Sequence, residues 1–154
     1  MVGVPAITFA LLLLAGGAPG PPAVTLHYWA VQATTEGREV PQFDEGALPI
    51  RTLLEDLNFD TFRTLSEAEE KAAAGKGKTA PLVGRYAMEL VYNGQEEMGR
   101  ARVVVTVTLA PKEPDGLSHK VVETTLLLPP GGKARVCGLR CETGGELIVV
   151  IARQ

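Results

Sequence analysis

The chain has 154 residues, enough for one domain with a substantial core. Its 15 basic and 18 acidic residues leave a net charge of −3, and no stretch concentrates Lys or Arg. The basic face that neutralises nucleic-acid phosphates is therefore missing, and no nucleic-acid partner is expected. With 45% apolar and 21% charged residues the balance is that of a globular chain, and two cysteines are too few for a disulfide-built scaffold, so packing must hold the core.

The first charged side chain is Glu36. Ahead of it an apolar block, Ile7–Ala15, runs into small residues and prolines, which is the order of a secretory signal. Residues 1–18 are expected to form a signal peptide and 19–23 a Pro/Gly spacer, leaving 24–154 as a single domain exported to the periplasm or beyond. The block is too short to span a bilayer, which takes about 20 apolar residues, so no stable membrane span is expected after cleavage. The start lacks the Lys or Arg that usually precedes such a block.

The run "VTLHYWAVQATT" (24–35) is β-prone and apolar on both sides, with Val24, Leu26, Tyr28 and Ala30 on one face and Trp29, Val31 and Ala33 on the other. It is expected to be a central strand covered from both sides. A polar loop (36–47) follows. In "LPIRTLLEDLNF" (48–59) Pro49 suits a first helical position, and Ile50, Leu53, Leu54 and Leu57 repeat at helical spacing. Asn58 suits the left-handed end position. "DTFRTLS" (60–66) reads as a short strand. "EAEEKAAAGKGKTA" (67–80) has helix-forming composition without an apolar face and is expected to be a solvated loop with one helical turn.

Asn93-Gly94 is a strong two-residue hairpin signal. It sets Tyr92 opposite Gln95, Leu90 opposite Glu97, Met88 opposite Gly99 and Tyr86 opposite Ala101. That register places Tyr86, Met88, Leu90, Val103, Val105 and Val107 on one buried face, with Arg100, Arg102 and Thr106 on the other. Residues 111–119 form a turn-rich connection. Strands are expected at 120–128, 133–139 and 146–153, joined by "PPGG" (129–132) and "ETGG" (142–145). The fold class is α+β: a mostly antiparallel sheet of about six to eight strands with one main helix packed on it.

Cys137 and Cys141 are the chain's cysteines. A turn at 142–145 places Cys137 on an apolar face with Leu139, Ile148 and Val150, and Cys141 nearer the turn. Four residues of strand span about 13 Å, against the 4.4–6.8 Å that a disulfide needs between Cα atoms. Export favours pairing and geometry opposes it; the balance leans to unpaired thiols, with a disulfide as the alternative. No second Cys/His pair exists to complete a zinc site. His27 and His119 are the histidines, and Ser118 and His119, adjacent on a strand, point to opposite faces and cannot work as a pair. Asp44/Glu45 and Glu96/Glu97 read as solvated acids, the Gly75–Lys78 stretch lacks the following Ser/Thr of a phosphate loop, and Trp29 reads as core. No catalytic residue, cofactor or metal is expected.

The closing stretch, "PPGG", "ARVCGL" and "ELIVVIAR", resembles the C-terminal β-region of bacterial secretins over roughly the last 35 residues. The chain leaves no room for the repeated N-terminal modules of that family, so the resemblance implies a β-architecture in an envelope setting without pore formation. "HYWAVQATTEG", "IRTLLEDLNFDTFRTLS" and the late "GELIVVI" are similar to small exported proteins of planctomycete-type bacteria. Together these imply a non-enzymatic interaction or assembly module of the bacterial envelope with a protein partner. The final strand and the 85–109 hairpin are the edges expected to take that partner. The rival reading, a small-ligand-binding or hydrolytic exported domain, requires a concave pocket with convergent polar groups.

Overall fold

The computed structural model describes residues 22–154. The expected signal peptide and most of the 19–23 spacer lie outside the described residues. Nine strands are present among the described residues: β1 (Ala23–Thr34), β2 (Gln42–Phe43), β3 (Thr61–Ala73), β4 (Gly77–Pro81), β5 (Tyr86–Gln95), β6 (Ala101–Leu109), β7 (His119–Leu128), β8 (Lys133–Arg140) and β9 (Glu146–Arg153). They form a five-stranded sheet ordered β2-β3-β1-β9-β8 and a four-stranded sheet ordered β4-β5-β6-β7. The β-rich expectation is met, but the strands divide between two stacked sheets instead of forming one sheet of six to eight, and no long helix among the described residues packs on them. The helical part of the described residues is one 3-10 segment, Glu45–Leu53, and a single turn at Glu97–Gly99.

Both faces of β1 are buried, which explains its apolar residues on either side. Leu26, Tyr28 and Ala30 enter the main core between the two sheets, where they meet Met88, Leu90, Tyr92, Val103 and Val105. Trp29, Val31 and Ala33 enter a second core on the other side of the larger sheet, roofed by Ala47, Ile50 and Leu54 of the helical segment. The order of layers is thus helix, five-stranded sheet, four-stranded sheet. β9 lies beside β1, and every residue of it after Glu146 is buried. Each large apolar side chain taken fully from water contributes about 1.5–3 kcal/mol, so these two strands supply much of the driving force.

The helical segment differs from its expected form. It begins at Glu45, four residues ahead of Pro49, because Asp44 caps it: one carboxylate oxygen accepts from the Ala47 N–H at 2.9 Å. The other accepts from the Thr64 N–H of β3 at 2.6 Å, which ties the helix start to the sheet. Pro49, lacking an N–H, sits inside the segment, whose hydrogen bonds close three-residue turns. The apolar spacing is nevertheless used, since Ile50 and Leu54 are buried and Leu53 and Leu57 pack partly against the second core. Asn58 does not take the left-handed conformation; the chain leaves through a tight turn from Leu57 to Phe59.

Asp60 then anchors the 36–38 loop, accepting from the N–H groups of Glu36 at 2.7 Å and of Gly37 and Arg38 at 2.8 Å. The Glu36 N–H is the main cause holding its carboxyl down to about 2, with the Arg38, Thr61 and Gly37 donors adding to it. A depressed carboxylate stabilises the fold above its unfolded value of about 3.9, and that contribution is lost as pH falls toward 2. NMR titration should therefore show the Asp60 carboxyl protonating near pH 2, together with the 36–38 amide signals. A midpoint near 4 would contradict the anchoring.

Residues 67–80 correct the loop expectation. β3 runs unbroken through Ala73 and pairs with β1 from Ala23↔Ala73 to Thr34↔Thr61. Helix-prone Ala and Glu adopt strand here because β1, buried on both faces, needs a partner along its whole length; tertiary pairing overrides local propensity. Leu65 is the extra residue of a bulge between Ala30↔Ser66 and Val31↔Thr64.

The hairpin expectation is half met. Tyr86, Met88, Leu90, Val103, Val105 and Val107 are all buried on one face. The register is different: Tyr92 pairs with Val103, eight residues beyond Gln95, and Tyr86 pairs with Leu109. The chain reverses at residues 96–100, where Met98 (φ 62°) and Gly99 (φ 70°) take left-handed conformations, and Gly94 (φ 88°) lies at a bulge. A shift by an even number of residues keeps every side chain on its face, so burial alone cannot detect it.

The cysteine expectation is reversed. Arg135 pairs with Val150 and Leu139 with Leu147, so a bulge at Cys137-Gly138 displaces the register by one residue. Gly138 has φ 90° and its N–H donates to the Glu146 carboxylate at 2.6 Å. Val136, Leu139 and Cys141 consequently face the main core, and Cys137 is exposed. Both thiols are free. Cys141→Ala should thus destabilise by about 1–2 kcal/mol and Cys137→Ala by no more than a few tenths. Equal costs in urea unfolding would contradict this placement.

Candidate functional site

The polar residues singled out in the sequence do not converge. His27 stacks on Trp29 with ring centroids 3.8 Å apart, and its Nε2 lies 2.8 Å from the Glu67 carboxylate of β3. Its Nδ1 lies 3.3 Å from the Gln154 amide, so both ring nitrogens are engaged in structural contacts. Trp29 is buried, as expected. Ser118 and His119 are exposed at the start of β7, and Ser66 lies on β3 with its hydroxyl unpartnered. Asp44 works as a cap, and Glu96 pairs with Arg102 at 2.5 Å. No group of three or more metal-ligating side chains is gathered among the described residues. No helix among them is long and apolar enough to cross a membrane.

The surroundings of Cys137 disfavour its thiolate. Although Cys137 is exposed, its surroundings partly desolvate the thiol and push its pKa up; Arg135 opposes, and Glu146 and Asp56 push further up. The protonated thiol is the weak nucleophile of the two forms. Arg135 is itself engaged, donating to the Leu53 carbonyl at 2.6 Å and to both oxygens of Asp56 at 2.5 and 3.0 Å.

One concave feature lies at the end of the molecule where β5 begins beside the β8–β9 turn. A cleft of about 490 Å³ is lined by Arg85, Tyr86, Lys112, Arg140, Cys141 and Glu142 among others. Arg85 bridges it, binding the Glu142 carboxylate at 2.7 Å and the Ala110 carbonyl at 2.6 Å. The Tyr86 hydroxyl donates to the Arg140 carbonyl at 2.9 Å. A smaller, more apolar hollow of about 220 Å³ adjoins it, walled by Val83, Leu147 and the shared Tyr86 and Cys141. Sequence reading missed this cleft, because Arg85, Lys112 and Arg140 come together only through the stacking of the two sheets.

Sheet edges are the other feature, and here the expected docking strands are corrected. β9 is enclosed by β1 and β8, while the β5–β6 pair is enclosed by β4 and β7. Neither presents an edge. Among the described residues the open edges are β3 beyond its two-residue contact with β2, β8, β4 and β7. Three are blunted in the ways sheet proteins use against stray pairing. β3 carries Arg63, Glu67, Glu69, Glu70 and Lys71. β8 is broken by its bulge and tied to the helix by Lys133 and Arg135. β4 is five residues long and ends on Pro81.

β7 is the least guarded: Lys120, Glu123 and the bulge at Val121 lie in its first half, while from Thr124 to Leu128 it carries no charge, bulge or proline. It is ten residues long and, among the described residues, pairs only with β6. From Val121 to Leu128 its sequence is VVETTLLL, with Glu123 as the sole charge. Val122, Thr124, Leu126 and Leu128 point toward the main core, opposite Val107, Val105, Val103 and Ala101. Glu123, Thr125 and Leu127 point outward, and Val121 is the extra residue of a bulge opposite Val107 and Thr108. Val121 and Leu127 remain 37% and 40% exposed, high for large apolar side chains in a strand. Such an edge offers a row of unpaired N–H and C=O groups with apolar side chains beside it.

Comparison of the chain with protein-family models, with curated proteins and with solved structures gives no match in any of the three.

Proposed function

We propose that the chain is a non-enzymatic exported interaction or assembly module of the bacterial envelope, with a secretin-like β-architecture and no pore, that takes a protein partner by strand addition along β7. The observation that carries this reading is the ten-residue edge of β7, paired on one side only among the described residues and free of charge, bulge and proline from Thr124 to Leu128. Main-chain hydrogen bonds supply affinity in strand addition, and alternate side chains supply specificity. A photo-crosslinking residue placed at Leu127, on the outer side of the edge, is expected to give a discrete protein adduct in the native host. The same residue at Thr79, on the short β4 edge, is expected to give none. Absence of any adduct from position 127 would overturn the reading.

The alternative, a small-ligand-binding or hydrolytic domain, draws its support from the cleft. Lys112 and Arg140 line it and form no ion pair among the described residues. Two uncompensated cations beside an apolar hollow suit a small carboxylate or phosphate ester with an apolar tail. Thermal-shift measurements with such acids, on the protein and on Arg140→Glu, separate this reading from the first.

A further inference from the structure

The reading above leaves the partner open, and the chemistry of β7 narrows it. Centred on Thr124, the strand reads the same in both directions by residue type. Val121 and Val122 precede Glu123, and Leu126 and Leu127 follow Thr125: two apolar residues, a polar one, Thr124, a polar one, two apolar residues. A strand with this symmetry is complementary to itself when turned end for end.

We propose that β7 pairs antiparallel with β7 of a second copy of this chain, about a two-fold axis through Thr124, so that the two four-stranded sheets continue into one. This rests on β7 being the docking edge.

The register follows from the faces. Residues directly opposite in an antiparallel pair point to the same side of the sheet, so only registers centred on a residue, not between residues, keep core-facing groups together. Centring on Thr124 sets Val122 opposite Leu126 of the second copy and Glu123 opposite its Thr125. Val121, bulged at the end of the ladder, comes beside Leu127 of the second copy, so the two most exposed apolar groups of the strand cover each other. Val122 and Leu126, half-buried against the main core, extend it across the axis. Centring on Glu123 instead opposes two carboxylates and sets Val122 against Thr124. Centring on Thr125 sets Leu127 against Glu123 and Leu126 against Thr124. Cross-strand pairing favours like with like for apolar groups and penalises opposed like charges. Glu123 is already held within its own chain by Lys120. A closed two-fold contact also uses up the edge, leaving no growing end for a fibre.

The register can be read directly by disulfide trapping. In a Cys137→Ser background, which removes the exposed native thiol, single variants Glu123→Cys, Thr124→Cys and Thr125→Cys are oxidised mildly. Only the residue on the axis meets its own copy at about 4.5–5.5 Å between Cα atoms, within disulfide range; the other two are separated by roughly 8 Å. The expected result is covalent dimer from Thr124→Cys at least tenfold faster than from either neighbour, with light scattering of the parent protein giving the mass of two chains. Fastest trapping at position 123 or 125 would overturn the register. A single-chain mass at every concentration, with no trapping at any of the three, would overturn self-pairing altogether. In that case a discrete adduct to a different protein from position 127 would leave strand addition standing, whereas no adduct at all would remove both.

Discussion

Gly145→Ala should destabilise the protein by about 3–5 kcal/mol, summing overpacking with the strain of a left-handed side chain. Gly145 has φ 75°, a conformation that glycine adopts freely. A Cβ built there would lie 2.3 Å from the carbonyl oxygen of Ala33 and 2.7 Å from Cγ2 of Thr34. The first of these is backbone of β1, the strand buried on both faces, and has nowhere to move. The same residue's carbonyl accepts from the Cys141 N–H at 3.1 Å, so any shift also loosens the turn that joins β8 to β9. Gly37 provides the control: its φ is 80°, yet a Cβ there meets nothing within 4 Å. Gly37→Ala should cost about 1–2 kcal/mol, the backbone strain alone. Urea unfolding of the two variants separates the terms, and equal costs would mean that the β8–β9 turn does not press on β1 as described.

Phe62→Ala is the second large effect, expected at about 3–5 kcal/mol. Phe62 is 1% exposed and sits where β2, β3 and the helical segment meet. Phe43 of β2 stacks on it at 4.8 Å, and Phe59 meets it edge-on at 6.5 Å. Removing the ring leaves both neighbours facing a cavity and undermines the roof over the second core. A truncation costing less than about 1 kcal/mol would show that this roof closes over the gap, and that the helical layer contributes little.

Local sequence was most informative where a strand is covered on both sides or where apolar residues alternate. β1 and β9 were legible because no exposed element could tolerate their composition. The faces of β5 and β6 were legible for the same reason, but their register was not. The Asn93-Gly94 signal pointed to a two-residue turn, while the chain bends at 96–100, because that longer reach lets Met88 and Leu90 face Val107 and Val105 rather than Gly99 and Glu97. Residues 67–73 were illegible locally, since Ala and Glu reveal strand only in the company of β1. The cysteines were misplaced by one residue because Gly138 carries a bulge; the isolated glycine is its mark in the sequence, but the alternating pattern around it was read straight through. Which strands would be edges depends on sheet order, a property of the whole chain. The terminal position of β9 suggested an edge, whereas its apolar residues on both faces required the middle of a sheet.

The claim that β7 is where this protein meets its partner is tested most directly by adding charge to that edge. Val121→Lys with Leu127→Lys places two cations at positions that are already partly exposed, so the fold should be unaffected and the melting temperature should stay within a few degrees of the parent. Measured by native size in gently solubilised envelope of its host, the parent should migrate as an assembly and the double variant as a single folded chain. A double variant that keeps both its melting temperature and the parent's assembly would contradict the account.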